Sequence, residues 1–258
     1  RGIFEKREGI SANFLDRMEQ LNKTRKRIEK GSTLVYGEET RETHLAESLK
    51  ISELVPKEIR FPALIHDVGK TGPLSADVET SKVVMALFAA MHKLEVDRSL
   101  LKELVKIIYP QAEDRERALI LLKDIGVEVD KPLKDFYQMH VEWGRQIMEA
   151  EPALTGQEKY FALNHHRILR GLEVSALNQD GSIYQPRELD DYHATYLEIC
   201  DYYQACISRR DNTHSKTIIE LRKVFLPLVE SSRQRMEMLG NIIDEIDKKG
   251  QSKPRKTR

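Results

Sequence analysis

The residues of this chain that could do chemistry are its histidines and the carboxylates spaced among them. His44 comes first. His66-Asp67 follow as an adjacent pair, with Lys70 three positions on. Then come His140, the paired His165-His166, and finally Asp201. Imidazole with carboxylate is a donor set for Zn, Mn, Fe or Ni, not for Ca. Two ions need more ligands than one, and a carboxylate such as Asp67 suits a bridge between a close pair. A pair of cations lowers the pKa of a bridging water towards neutrality and clamps phosphoryl oxygens. Lys70 adds a compact positive charge beside the pair. A His-Asp dipeptide is a weak signal alone; its context gives it weight. Of the remaining histidines, His92 and His214 read as structural or surface residues, and His193, two helical turns before Asp201, as a supporting or surface one. Cys200 and Cys206 flank Asp201 and read as core.

Such ligands need rigid elements to hold them. Apolar residues at Phe14, Leu15, Met18, Leu21 and Ile28 predict a helix that Gly31-Ser32 ends. It reads either as a surface helix packed on the main domain or as the end of a helical linker from an upstream sensor or a dimer partner. Residues 38–50 read as a helix carrying His44. Pro62 opens a helix that runs through Ala63-Leu64-Ile65-His66-Asp67-Val68 and stops at Gly69. Three apolar stripes follow, beginning at Val83, Leu100 and Leu119, with a break at Pro110 and a stop at Gly126. A helix over 136–150 carries His140, with Trp143 one turn away. Thr155-Gly156-Gln157-Glu158 is a capping box that starts the helix expected to carry His165 and His166. Residues 170–187 read as a loop, 189–208 as the helix bearing Asp201, and 217–230 and 234–247 as two more. The expectation is an all-α chain with every candidate ligand on a helix.

Composition narrows the function classes. Lys+Arg and Asp+Glu both total 42, so no nucleic-acid-coating surface is expected. Apolar runs such as residues 83–91 fall far short of the ~20 residues of a membrane span. Two cysteines make no disulfide framework, which points to a reducing, cytoplasmic setting. The chain opens on Arg1, so an upstream segment is expected. The tail 248–258 holds six basic residues and no acid and reads as solvated.

The order His … His-Asp … Asp resembles the HD-domain metal-dependent phosphohydrolases, and the finer pattern resembles their HD-GYP subfamily. His66-Asp67-Val68-Gly69-Lys70-Thr71-Gly72 matches HDIGKIG at five of seven places. His140-Val141-Glu142-Trp143-Gly144-Arg145-Gln146-Ile147 is similar to HPExGxxI. His165-His166 matches the paired histidines, and residues 201–210, from Asp201 to Arg210, are similar to DVYDALTSDR. The likeness covers roughly residues 38–230. It departs where HHExxDGxGYP becomes residues 165–175. The GYP tripeptide is absent in register, and an echo ending Tyr184-Gln185-Pro186 lies about ten residues late. Residues 74–134 exceed the family's usual spacing and look like an inserted helical region that could cap the cleft. The place of a third-metal glutamate is Thr40. Gln204 and Thr213 stand where the family often has Asp and Lys.

The resemblance implies an all-helical HD-domain bundle spanning 37–247, preceded by an N-terminal helix or linker over 1–36. It implies two transition-metal ions, Fe or Mn. His44, His66, Asp67 and Asp201 would hold one. Asp67 would bridge to the other, held by His140, His165 and His166. Asp67 and Lys70 would serve catalysis. Lys70, Arg210 and, by the shifted echo, Tyr184 would contact substrate. The activity implied is hydrolysis of a cyclic dinucleotide such as cyclic di-GMP. The altered loop leaves two other readings open: a non-catalytic effector that keeps the metals and binds a nucleotide or protein, and an HD phosphohydrolase acting on another nucleotide.

Overall fold

Helix signals in the sequence carry through to the structure over most of the described residues. The computed structural model describes residues 9–28, 44–209 and 212–251, with side chains over 9–21, 48–207 and 212–251. Within them lie α1 (Ala12–Ile28), α2 (His44–Leu54), α3 (Arg60–Ile65), α4 (Val78–Ala90), α5 (Leu101–Ile108) and α6 (Ala112–Asp124). The second half holds α7 (Leu133–Glu149), α8 (Gly156–Leu163), α9 (Arg167–Arg170), α10 (Glu188–Arg209), α11 (His214–Phe225) and α12 (Arg233–Gln251). The fold is all-α. The described residues contain no strand, and two isolated bridges, Leu100 with Pro132 and Leu177 with Ile183, are the extended pairings they show.

Local chemistry sets the ends of these helices. Asp77 caps α4 by accepting the Thr80 N–H at 2.7 Å. Thr155 and Glu158 form the expected capping box on α8. Gly126 follows α6 with φ of 77°, a conformation that ends helices and suits glycine.

The chain divides into two compact units. The first takes α1 and Asp67–Leu154; the second takes Ala46–His66 and the chain from Thr155 onward. In the first unit, the core joins Val84, Leu87 and Phe88 of α4 to Leu101, Leu104, Val105 and Ile108 of α5, Leu122 of α6, and Phe136 and Trp143 of α7. Residues 74–134 therefore pack against the helix that carries His140. The apolar stripe of α1 is buried at Phe14, Met18 and Leu21. Arg17 pins this helix to the segment after Lys70. Its guanidinium donates to Thr71 Oγ1 at 3.1 Å and to the carbonyls of Pro73 and Leu74 at 3.1 and 2.7 Å. Burial lowers the pKa of Arg17 from its ordinary value. Over the described residues, α1 is thus a packed helix.

In the second unit, α10 supplies Tyr196, Leu197, Ile199 and Cys200 to a core shared with α2, α8, α11 and α12. Cys200 and Cys206 are buried, as expected. Lys249 of α12 donates to the Leu54 carbonyl and to the Tyr196 hydroxyl at 2.7 and 2.9 Å. His214 joins Tyr203 to Asp247, at 2.8 and 2.7 Å.

One expectation is corrected. His66-Asp67 and His165-His166 do not lie on helices. Helix α3 ends at Ile65, and a 3₁₀ turn over Val68–Thr71 follows the His-Asp pair. Helix α8 ends at Leu163, and the paired histidines form the turn into α9. Asp67, at φ −97° and ψ 11°, and His166, at φ −127° and ψ 18°, occupy the bridge region common at functional turns.

Candidate metal centre

The candidate ligands form a group within each unit. In the first, Asp67, Lys70 and His140 are buried. The turn over Val68–Thr71 packs against α7. This brings the Asp67 carboxylate and the His140 ring together, with His140 Nε2 at 3.8 Å from Asp67 Oδ1. The other carboxylate oxygen, Oδ2, accepts from the Lys70 ammonium. Phe88 of α4 packs on α7: its ring meets the His140 ring edge-on at 5.7 Å and stacks on Phe136, one turn earlier on α7, at 4.7 Å. A Cβ on Gly69 would fall 1.8 Å from the His140 carbonyl oxygen, so glycine is required for this approach.

In the second unit, His66 Nε2 lies 3.6 Å from Asp201 Oδ1. The ring centroids of His66 and His165 are 4.8 Å apart, and those of His165 and His166 are 4.0 Å apart. All three rings are buried, while Asp201 is partly exposed. Asn164, fully buried, fixes the chain just before the pair: its side chain donates to the Tyr160 and Val174 carbonyls and accepts from the Val174 N–H, each at 2.9 Å.

Three of these histidines share one orientation device. His66 Nδ1 bonds the Ala63 carbonyl at 2.8 Å, His165 Nδ1 bonds the Ala162 carbonyl at 2.5 Å, and His140 Nδ1 bonds the Tyr137 carbonyl. A carbonyl only accepts, so each Nδ1 carries a proton, and in the neutral ring each Nε2 presents a lone pair. That arrangement fixes the tautomer of ligating histidines. His92 makes the same contact with Ala89, but in an exposed position; burial distinguishes the other three. Metal–ligand bonds of about 2.0–2.2 Å place two donors on one ion about 3.0–3.5 Å apart. The His66–Asp201 and His140–Asp67 spacings of 3.6 and 3.8 Å approach that span. The buried His66, Asp67, His140, His165 and His166 include groups that could hold a metal ion. Their nitrogen and oxygen donors fit a transition metal, and they leave its identity open.

No family model, curated protein or solved structure matches the chain. Among the described residues, no helix is long and apolar enough to cross a membrane.

The other expected site residues fare unevenly. The His44 side chain and Arg210 lie outside the described residues. Tyr184 belongs to a network in the second unit: its hydroxyl donates to Asp190 at 2.7 Å, and burial with that carboxylate pushes its pKa up to about 12. Asp190 also accepts from Arg187 and Gln157, and its pKa lies well below the usual carboxylate range. A substrate contact by Tyr184 would have to replace the bond to Asp190. Gln204 is buried, and Thr213 caps α11 by accepting the Lys216 N–H at 3.4 Å. His193 packs edge-on against Phe161, and burial pushes its pKa down.

Glu198 is a residue that motif and spacing did not single out. It is buried on α10 and accepts the N–H groups of Ile168 and Leu169 at 2.9 and 2.7 Å. Burial raises its pKa to about 7, against the pull of those two amides. The sequence does carry a signal for it: a lone carboxylate in the apolar run Tyr196-Leu197-Glu198-Ile199-Cys200. Lys, Glu, Arg and Asp are almost never fully buried unless partnered.

Proposed function

We propose that this chain is a dimetal phosphodiesterase of the HD-GYP type, acting on a cyclic dinucleotide such as cyclic di-GMP. The observation that carries the reading is the shared orientation of His66, His140 and His165, each with Nδ1 held by a backbone carbonyl and Nε2 left to ligate. The order of the four motifs along the chain supports the family and the substrate class.

By the resemblance, His44, His66, Asp67 and Asp201 would hold one ion, and Asp67 with His140, His165 and His166 would hold the other, Fe or Mn. When bound, the ions supply Lewis-acid charge and an acidified water. Asp67 orients through both oxygens, one turned to His140 and one to Lys70. The Lys70 ammonium, nearly excluded from solvent, can meet a phosphate oxygen in a setting that strengthens its charge. Arg210 would supply a second, planar contact.

The test has two parts. Elemental analysis of purified protein should find two transition-metal ions per chain. Protein loaded with excess Fe(II) or Mn(II) should linearise cyclic di-GMP. Binding without cleavage would replace the enzyme by a metal-containing effector. Bound metal with neither binding nor cleavage would reject the substrate while keeping the metal centre, and would favour a phosphohydrolase of another nucleotide.

A further inference from the structure

Within the second unit, the turn His165-His166 is followed at once by α9, four residues long. The first N–H groups of any helix lack intrahelical partners and are usually met by a capping side chain. Here the N-cap residue is His166, which makes no side-chain cap bond. The two N–H groups of Ile168 and Leu169 instead reach across to α10, where Glu198 takes one on each carboxylate oxygen. Glu198 stands one turn before Asp201, and residues three apart share a helix face. Asp201 in turn faces His66 at 3.6 Å. One stretch of α10 therefore offers a candidate ligand and grips the chain that carries two others.

We propose that Glu198 is a positioning residue that sets the paired histidines His165 and His166 relative to Asp201. It acts through the backbone of α9, and the inference rests on the metal reading above. A carboxylate suits this task because it can accept two N–H groups at once. Glutamine offers one acceptor oxygen, and its amide group would face the second N–H. Alanine offers none.

The experiment compares wild type with Glu198→Gln and Glu198→Ala in two readouts. The first uses the metal-free full chain. Imidazole ¹⁵N NMR should show His165 as a single Nδ1–H tautomer in wild type, with that signal broadened or mixed in both variants. The second is titration with Co(II), followed by visible absorption and chelator competition. Both variants should bind about 10- to 100-fold more weakly, with an altered absorption envelope, the usual cost of losing an outer partner of a ligand. Glu198→Gln, nearly the same in shape, guards against a fold too damaged to read. Variants that lose thermal stability while keeping the wild-type His165 tautomer and Co(II) spectrum would overturn the proposal. If wild type binds no Co(II), the metal reading fails, and the NMR readout still decides whether Glu198 holds the histidine turn.

Discussion

Gly69 lies so close to His140 that a single added methyl would overlap the main chain of α7: its Cβ would sit 1.8 Å from the His140 carbonyl oxygen and 2.5 Å from the Gly144 nitrogen. Backbone atoms on both sides leave no flexible side chain to yield. Gly69→Ala should therefore force the turn over Val68–Thr71 away from α7, at a cost of about 3 kcal/mol or more. Urea unfolding would measure this, and an unchanged midpoint would show that the turn and α7 do not meet as described.

Asp67 is the residue to remove if the metals are in question. As the proposed bridge it serves both ions, so Asp67→Ala should strip both, whereas His44→Ala should mainly weaken one. Metal content per chain after gel filtration separates the two. Asp67→Ala protein retaining two ions would end the bridging assignment.

The buried Glu198 carboxyl gives a pH signature. Its pKa is about 7 in the folded chain, above the ordinary value of 4.5. Between those limits the folded state holds the proton more tightly than the unfolded state, so this group's contribution to stability falls as pH rises from 4.5 to 7. Each tenfold difference in proton affinity between the two states is worth about 1.4 kcal/mol, so the whole decline amounts to about 3 kcal/mol. Unfolding free energies of the metal-free protein at about pH 5 and about pH 7.5 should show it, and Glu198→Gln should remove it. Equal slopes in the two proteins would count against the raised pKa.

Lys70 bears on substrate grip. Losing one charged contact to a buried phosphate costs about 1.5–3 kcal/mol, or roughly ten- to a hundred-fold in affinity. Metal-loaded Lys70→Ala should bind cyclic di-GMP more weakly by that factor in calorimetry. An unchanged Kd would confine Lys70 to its bond with Asp67.

Much of the helical plan could be read from residue types alone, because its signals are local. The Thr155–Glu158 capping box, the stop at Gly126 and the stripe through Phe14, Met18 and Leu21 each need only a few neighbours in sequence. The breaks that shape the site could not be read this way. Ala63 to Val68 looks like one continuous helical run. It is interrupted after Ile65, where the chain turns to place Gly69 against α7, some seventy residues further on. The turn at His165 is likewise held by Asn164 folding onto Val174, ten residues away, and by Glu198, thirty residues from Ile168. Periodicity registers which face of a helix is apolar and carries no record of such distant partners. The candidate ligands were legible by type and order; their supports came from tertiary contacts, and their tautomers from carbonyls three residues earlier, which no residue pattern marks.

Two of the three oriented histidines sit just beyond helix C-termini: His66 after α3 and His165 after α8, each ring bonded to a carbonyl of the helix's last turn. The peptide dipoles of both helices therefore direct partial negative charge towards the ring that would ligate. Such a field welcomes a cation, typically by about 0.3–1 kcal/mol per helix, and disfavours an anion by a similar amount. Under the proposed function this imposes an order of events. A phosphodiester approaching the metal-free chain would meet two helix ends of its own sign at these histidines, and the same place would become attractive once a cation had reversed the local potential.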